Sequence, residues 1–245
     1  MVITVYDPGS IGPLDHFAIS AIASPQTVGI PITGITLTAQ DASSNTVTSF
    51  TGSVNFGGSG GFSGTSAAFT NGVLSGVNVT PTNAGSNLTF TVKDNVSGKD
   101  GSTTITTIRT QYAAWSGGIA SGADSNNDGI KNGLAWLLGA PNPSAAAIHL
   151  LPSITKDSGN LVLTFSCLNA ASRGNSVLNV EHSSDLGVSG GPWVSVIVPE
   201  ITSSVGGVNF TITPNGNLNN VVARIPLPEG SAGSLFGRIR AAMPP

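Results

Sequence analysis

The chain has 245 residues, of which 39% are hydrophobic and only 9% are charged, and its formal net charge is −3. The length is compatible with two domains of ordinary size, and the hydrophobic content is sufficient to build cores. The low charge and the lack of a basic cluster argue against nucleic acid or an anionic membrane as a partner. No apolar run approaches the roughly 20 residues needed to cross a bilayer, so we expect no transmembrane segment.

The chain has one cysteine, Cys167, which excludes an internal disulfide and metal sites built from cysteine pairs. It lies in a run of alternating apolar residues, which predicts a buried and unreactive thiol. The first six residues lack the charged and long apolar regions of a signal peptide. Because modules rich in Thr, Asn and Gly with few charges are typical of surface proteins, we expect the trimmed form of a secreted or cell-surface protein.

From Leu14 to about Ile108, apolar and polar residues alternate and turn residues recur at the spacing of an all-β sandwich with about seven strands. Strands are expected at residues 16–22, 32–39 and 46–56, and Asn71-Gly72 predicts a tight hairpin turn. Alternation returns between residues 148 and 242, which predicts a second sandwich. The expected core residues of the two sandwiches are Phe17, Ile19, Leu37, Val54, Phe69, Phe90, Val92, Leu163, Phe165, Val180 and Trp193.

Three stretches of the first half, residues 35–41, 45–52 and 74–80, resemble the bacterial immunoglobulin-like repeats of large surface and adhesin proteins. The resemblance covers residues 14–108. It implies an immunoglobulin-like sandwich that serves as a rigid spacer or a binding head, without catalytic activity.

Residues 124–132 concentrate oxygen ligands at the spacing of a Ca²⁺ loop of the EF-hand kind. Gly129 allows the sharp turn at the sixth loop position, whereas Ala135 stands at the twelfth, where a bidentate carboxylate normally completes the shell. The candidate metal ligands are the side chains of Asp124, Asn126, Asp128 and Asn132 and the backbone carbonyl of Ile130.

Only two of these ligands are carboxylates, so the expected Ca²⁺ affinity lies in the weak range of extracellular modules, on the order of 10⁻⁴ to 10⁻³ M or worse. The alternative is that Asp, Asn and Gly cap the helix that follows, because these residues are favoured in turns and before helices. Under either interpretation the loop braces a junction and leaves no open position for a substrate.

After the loop, Ile130, Leu134, Leu137 and Leu138 recur on one face of a short helix. Trp136 lies off this stripe and is the best candidate for an exposed ring, but packing against a neighbouring domain is the favoured interpretation. The block from Trp115 to Gly139 resembles a junction near the C-termini of secreted proteins from environmental bacteria, although Ala135 departs from its usual acid. Residues 181–186 with Trp193 resemble the terminal β-sandwich that accompanies this junction, which implies a sorting, anchoring or packing module.

The predicted organisation is therefore all-β, with two β-sandwich domains joined by a short loop and helix. We expect an N-terminal strand and linker at residues 1–13 and an immunoglobulin-like sandwich at 14–110. A junction at 111–147 and a C-terminal sandwich at 148–245 follow.

Candidate catalytic residues are sparse. The pattern Gly-x-Ser-x-Gly occurs at residues 57–61 and 187–191, but both copies lie in Gly-rich loops rather than in a strand-to-helix elbow. No two of His16, His149 and His182 have the spacing of metal ligands, and we expect no enzyme. Arg238 and Arg240 alternate on one strand face, which indicates a solvated face rather than an anion site.

The segment from Val2 to Tyr6, hereafter the 2–6 segment, is β-prone and apolar on both faces, so it needs burial on both sides. It is the last strand of a preceding module, an extra strand of the first sandwich, or a strand that pairs with another copy or a neighbouring surface module.

Together these patterns favour a non-enzymatic extracellular protein of a bacterial surface, with a structural or adhesive role as a spacer or assembly subunit, including a filament subunit. The alternative is a module of a larger secreted protein that binds a glycan, another ligand or a host surface through Trp136 or the 57–64 loop.

Overall fold

A computed structural model describes residues 11–186, 193–227 and 234–244. The described chain is all-β, as the alternation predicts, and it divides into two compact units, Met1–Thr110 and Gln111–Pro245. None of the described helices has the length and apolar character that crossing a bilayer requires. The 2–6 segment and the Gly-x-Ser-x-Gly pattern at residues 187–191 lie outside the described residues.

The described part of the first unit contains seven strands in two sheets, with the orders β1-β3-β5 and β2-β7-β6-β4. The strands are β1 (His16–Ile19), β2 (Gln26–Thr27), β3 (Ile32–Gln40), β4 (Asn55–Gly57), β5 (Val73–Val79), β6 (Gly85–Lys93) and β7 (Asp100–Arg109).

The N-terminal strand of this unit is divided between the two sheets. β1 pairs antiparallel with β3, whereas β2 pairs parallel with β7 in the other sheet. The expected strand at residues 16–22 ends early, at Ile19, and the chain leaves the first sheet after Ser20, whose N–H still donates to the carbonyl of Thr36 at 2.9 Å. Alternate residues of both sheets, among them Leu37, Phe90 and Ile105, meet in one core.

The turn at Asn71-Gly72 has positive φ angles of 50° and 77° and links the bridged residues Thr70 and Val73, which confirms the predicted hairpin turn. The strand expected at residues 46–56 is wrong over most of its length, since only β4 forms there. Before β4 the chain makes a turn, in which the backbone N–H of Phe50 donates to the carbonyl of Val47.

The second unit contains sheets with the orders β11-β10-β15 and β12-β13-β14-β9-β8. Its strands are β8 (Ser153–Asp157), β9 (Asn160–Leu168), β10 (Val177–Ser183), β11 (Val194–Ile197), β12 (Ser203–Val205), β13 (Val208–Asn215), β14 (Leu218–Pro226) and β15 (Phe236–Ala242). Its helices are α1 (Gln111–Ser116), α2 (Asn132–Leu137) and α3 (Ala170–Arg173), with a 3-10 turn at Ile148–Leu150.

Residues 111–147 fold as part of the second unit. Trp136, Leu137 and Leu138 belong to the same core as Leu163 of β9 and Val180 of β10. The sandwich therefore holds α2 directly, and α2 in turn fixes one end of the Asp/Asn loop.

The expected core residues are buried with two exceptions. Ile19 is only partly buried, at the edge of the first core. Trp193 is also partly buried, and the guanidinium of Arg238 lies over its ring, 3.9 Å from the centroid. Trp193 therefore packs against the cation of Arg238 and not within the core.

Candidate metal centre and buried polar clusters

Asp128 organises the loop at residues 124–132. Its Oδ1 accepts the backbone N–H of Ile130 at 2.9 Å, and its Oδ2 accepts the N–H of Ala147 at 2.6 Å and the Nδ2 of Asn126 at 3.1 Å. These bonds, above all the one from Ala147, lower the pKa of the Asp128 carboxyl. Asn126 also donates to the carbonyl of Ala145 at 2.7 Å, so two side chains tie the loop to residues 145–147.

Asp124 occupies the first position of the loop. Its Oδ2 accepts the N–H of Gly129 at 3.0 Å, whereas its Oδ1 is buried and has no hydrogen-bond partner. A buried carboxylate oxygen without a partner is costly, and a bound cation would remove this cost.

Asn132, the predicted ninth-position ligand, begins α2 and is buried. Its Oδ1 accepts the N–H of Ser125 at 3.3 Å, and its Nδ2 donates to the hydroxyl of Ser125 at 2.9 Å. Ala135 is buried beside Ala140 and Ala147 and supplies no oxygen. The C-terminal side of the loop is therefore held by hydrogen bonds within the protein.

The residues fit a weakly held Ca²⁺, whose usual ligands are oxygens. Four of the five predicted ligand residues lie in the loop, and the fifth, Asn132, begins α2. Asp124 Oδ1 is free to bind, and the Oδ1 atoms of Asn126 and Asp128 each accept a single N–H, which leaves a second lone pair. Within the described ranges, no group of three or more His, Cys, Asp or Glu side chains is placed to hold a metal.

Aromatic contacts fix α2 beside the loop. The ring of Trp136 is 5% exposed and meets the ring of Tyr112 edge-on at 5.4 Å. The indole N–H of Trp115 donates to the carbonyl of Ala140 at 2.7 Å. The ring of Trp136 is therefore packed and not exposed, and it packs in the core of its own unit, which covers a second face of this short helix.

The 57–64 loop is closed by its own contacts. The hydroxyls of Ser59 and Thr89 lie 3.1 Å apart, and the Nδ2 of Asn83 donates to the carbonyl of Ser59 at 3.0 Å. Phe62 is 5% exposed and packs edge-on against Phe90. The loop thus uses its aromatic ring for the core and presents no ring to a sugar.

Two buried carboxylates of the first unit hold turns. Asp41 is fully buried and accepts the N–H groups of Gly12 at 2.8 Å and of Ser43 and Asn45 at 2.9 Å each. These donors, led by Gly12, lower the pKa of Asp41 to about 2. Asp94 is 5% exposed and likewise accepts N–H bonds within its own turn.

The second unit pairs two buried charged side chains, Arg173 and Glu181, with partners that the sequence did not reveal. Arg173 is buried and meets the carboxylate of Glu200 at 2.6 Å. Glu181 is 1% exposed and meets Arg238 at 2.7 Å and Arg240 at 3.5 Å. The arginine face is solvated, as predicted, but it also neutralises a buried acid. The sequence indicated only the two alternating arginines. It did not indicate their partner, because Glu181 lies far from them in the sequence.

The three histidines lie in separate elements, namely β1, the 3-10 turn and β10. His16 meets the carboxylate of Asp15 at 3.2 Å and the side-chain oxygen of Gln40 at 3.1 Å, at the surface. His149 is exposed and His182 is buried. Both ring nitrogens of His16 are thus engaged with partners other than a nucleophile.

Comparison with protein-family models and with curated protein sequences finds no match to the chain. The function must therefore be inferred from the arrangement of the residues themselves.

Proposed function

We propose that the chain is a non-enzymatic structural module of a bacterial surface, acting as a spacer or as a subunit of an extracellular assembly. The observation that carries this proposal is that the buried carboxylates have structural partners. Within the described ranges, Asp41 and Asp94 hold turns and Glu181 neutralises arginines across a sheet. Acids that serve catalysis face a cleft and a substrate.

The connectivity of the first unit supports the proposed relationship to immunoglobulin-like surface repeats. Immunoglobulin-like sandwiches place their strands A, B and E in one sheet and their strands C, F and G in the other. The orders β1-β3-β5 and β2-β7-β6-β4 have this form. The low charge and the abundance of Thr, Asn and Gly, which are typical of surface modules, support an extracellular location.

We assign Ca²⁺ a bracing role within this function. Asp124, Asn126, Asp128 and the carbonyl of Ile130 would hold it, and it would neutralise the buried oxygen of Asp124. The ion would stiffen the connection between α2 and residues 145–147, where the hydrogen bonds of Asp128 already act.

Force spectroscopy of the full chain tests the spacer function. A spacer of two sandwiches should give two separate rupture events with contour-length increments of roughly 40 and 50 nm, less the folded end-to-end lengths. These lengths follow from the units Met1–Thr110 and Gln111–Pro245. Extension without discrete ruptures would contradict a load-bearing spacer.

The assembly function requires a strand donor and a strand acceptor. We propose the 2–6 segment as the donor, pairing with another copy or with a neighbouring surface module. Negative-stain microscopy of the full chain and of a variant lacking residues 1–10 provides the test. Fibres that form only with these residues support assembly, and dispersed particles in both samples contradict it.

Binding of a glycan remains a separate function to be measured. The burial of Trp136 and Phe62 removes the contacts through which it was expected. A glycan array probed with the full chain should therefore show no binding above that of the heat-unfolded chain.

A further inference from the structure

We propose that the outer edge of β5, which pairs with no other strand among the described residues, is the acceptor for the 2–6 segment of a second copy of this chain. The inference rests on the assembly function proposed above and adds the place where the donated strand binds.

The edge strands of the described sheets differ in length and charge. β5, β8 and β15 are the edge strands of five or more residues within the described ranges. β8 contains Lys156 and Asp157, and β15 contains Arg238 and Arg240. Charged side chains protect sheet edges from pairing with other strands. β5 contains no charged residue, so it is the least protected of the three edges.

The dimensions and side-chain pattern of β5 suit the 2–6 segment. β5 has seven residues, whereas the donor needs a partner of five, which corresponds to about 16 Å of strand. Val77 and Val79 of β5 are buried, while Ser75 and Asn78 are exposed. A donated strand beside them would add Ile3 and Val5, or the residues that alternate with them, to the row of buried valines.

The pairing of β5 with β3 is irregular, which is the one protective feature that β5 retains. The register shifts between the pairs Ile32–Val79 and Ile35–Val77, and it shifts again at a bulge between Ile35–Val77 and Leu37–Leu74, where Gly76 has a φ of +73°. A bulge twists an edge locally. The bulge lies near the middle of β5, so a donated strand must follow its twist. We therefore expect the edge to accept the donated strand in one register only.

The position of the chain at Gly12 favours a second copy as the source. The N–H of Gly12 is held by Asp41, next to the end of β3. Between this point and β5 lies the turn at residues 47–50, where Ala39 accepts from Val47 and Phe50 accepts from Gly72. The intervening residues 7–11 span at most about 18 Å, and they would have to pass around this turn to reach the outer side of β5 in the same chain.

Cross-linking between two single-cysteine variants tests the proposal. A Thr4→Cys chain and a Ser75→Cys chain of different mass are mixed and treated with a short bis-maleimide, whose span tolerates register differences. Cys167 is fully buried and leaves the wild-type chain as an unreactive control. The matched acceptor control is Thr155→Cys on β8, which is exposed on a charged edge.

We expect a cross-linked heterodimer when the Thr4→Cys chain is mixed with the Ser75→Cys chain. We expect no heterodimer when the Thr4→Cys chain is mixed with the Thr155→Cys chain. A double variant carrying both Thr4→Cys and Ser75→Cys is treated at high dilution. A product linked within one chain would overturn the second-copy assignment, since the 2–6 segment would then occupy its own β5 edge.

The charge variant Ser75→Lys gives a second readout, with Thr155→Lys as its control. Loss of fibres with Ser75→Lys and retention with Thr155→Lys, both with wild-type circular dichroism, support the acceptor edge. Fibres that need residues 1–10 but show no Thr4-to-Ser75 cross-link would overturn β5 as the acceptor and leave assembly intact. Dispersed particles in every sample would overturn the assembly function and the acceptor together.

Discussion

The guanidinium of Arg238 meets the carboxylate of Glu181 at 2.7 Å, and the same guanidinium lies over the ring of Trp193. Arg238 belongs to the edge strand β15, and Glu181 lies opposite it on β10. The Glu181 side chain is 2% exposed, whereas that of Arg238 is 49% exposed. One half-exposed cation therefore neutralises a buried acid and fastens the edge strand to the sheet.

Replacing this cation should destabilise the second unit. Arg238→Ala is expected to lower the free energy of unfolding by about 1 to 3 kcal/mol, because a buried carboxylate loses its closest charged donor. Arg240→Ala should cost less than about 1 kcal/mol, since Arg240 is more exposed and its contact is longer. Urea unfolding followed by tryptophan fluorescence measures both, and equal losses would show that Arg238 has no special role.

The buried carboxylate of Asp41 should make the first unit sensitive to acid. Its folded pKa of about 2 lies below the ordinary value for Asp, so its stabilising effect is fully present above about pH 4. The effect is lost as the pH falls from about 4 through 2. Asp41→Asn should lower stability at pH 7, and its difference from the wild type should shrink over this window.

The control for Asp41 is Asp100→Asn, which changes an exposed acid at the start of β7. All three tryptophans lie in the second unit, so fluorescence does not report on the first, and circular dichroism follows the Asp41 variant. A difference from wild type that stays constant between pH 5 and pH 2 would contradict the role of the charge.

Asp124 and Asp128 should respond differently to substitution without calcium. Asp128→Ala should destabilise the second unit in chelator, because Ala147 and Ile130 lose their acceptor. Asp124→Ala should have a smaller effect, since Asp124 accepts one N–H, from Gly129, and its other oxygen has no partner. Thermal unfolding of the two variants in chelator measures this difference, and the reverse order would contradict the described hydrogen bonds.

Calcium should stabilise the wild-type chain and leave Asp124→Ala unaffected. With a dissociation constant of about 10⁻⁴ to 10⁻³ M, 10 mM Ca²⁺ would add roughly 1 to 3 kcal/mol. The matched control is 10 mM Mg²⁺, a cation that demands near-octahedral geometry and dehydrates reluctantly. Equal stabilisation of the wild type and of Asp124→Ala would remove the loop as the binding site.

Cys167 should not react with a thiol reagent in the folded chain. It is fully buried, and burial raises the pKa of its thiol to about 11. At pH 8 only about one thiol in a thousand is then ionised, and the reagent has no access to it. Ellman's reagent should label the chain only in denaturant, and rapid labelling without it would contradict this burial.

Much of the fold could be predicted from the alternation of apolar residues. The strands of the second half were anticipated where alternate residues are apolar, as in β9 and β10. β8 and β12 give no such signal, because Ser153–Asp157 and Ser203–Val205 carry few apolar residues and lie at sheet edges. Edge strands bury little, and so their sequences carry little periodicity.

The parts of the site that could not be predicted depend on residues distant in the sequence. The spacing from Asp124 to Asn132 identified the loop, but nothing local indicated that Ala147 would bond to Asp128. The helical stripe did not indicate which core Trp136 joins, because a single stripe assumes one buried face, whereas this helix packs on more than one. The partner of Arg238 lies on another strand, where pairing depends on the completed sheet.

The division of the first strand between two sheets has a mechanical consequence. β2 runs parallel to β7, and the N–H of Val28 donates to the carbonyl of Arg109 at 2.9 Å. Tension applied along the chain on either side of the unit pulls these two strands in opposite directions along their length. Their hydrogen bonds are then loaded in shear and must break together, whereas those between the antiparallel strands β1 and β3 can open one after another.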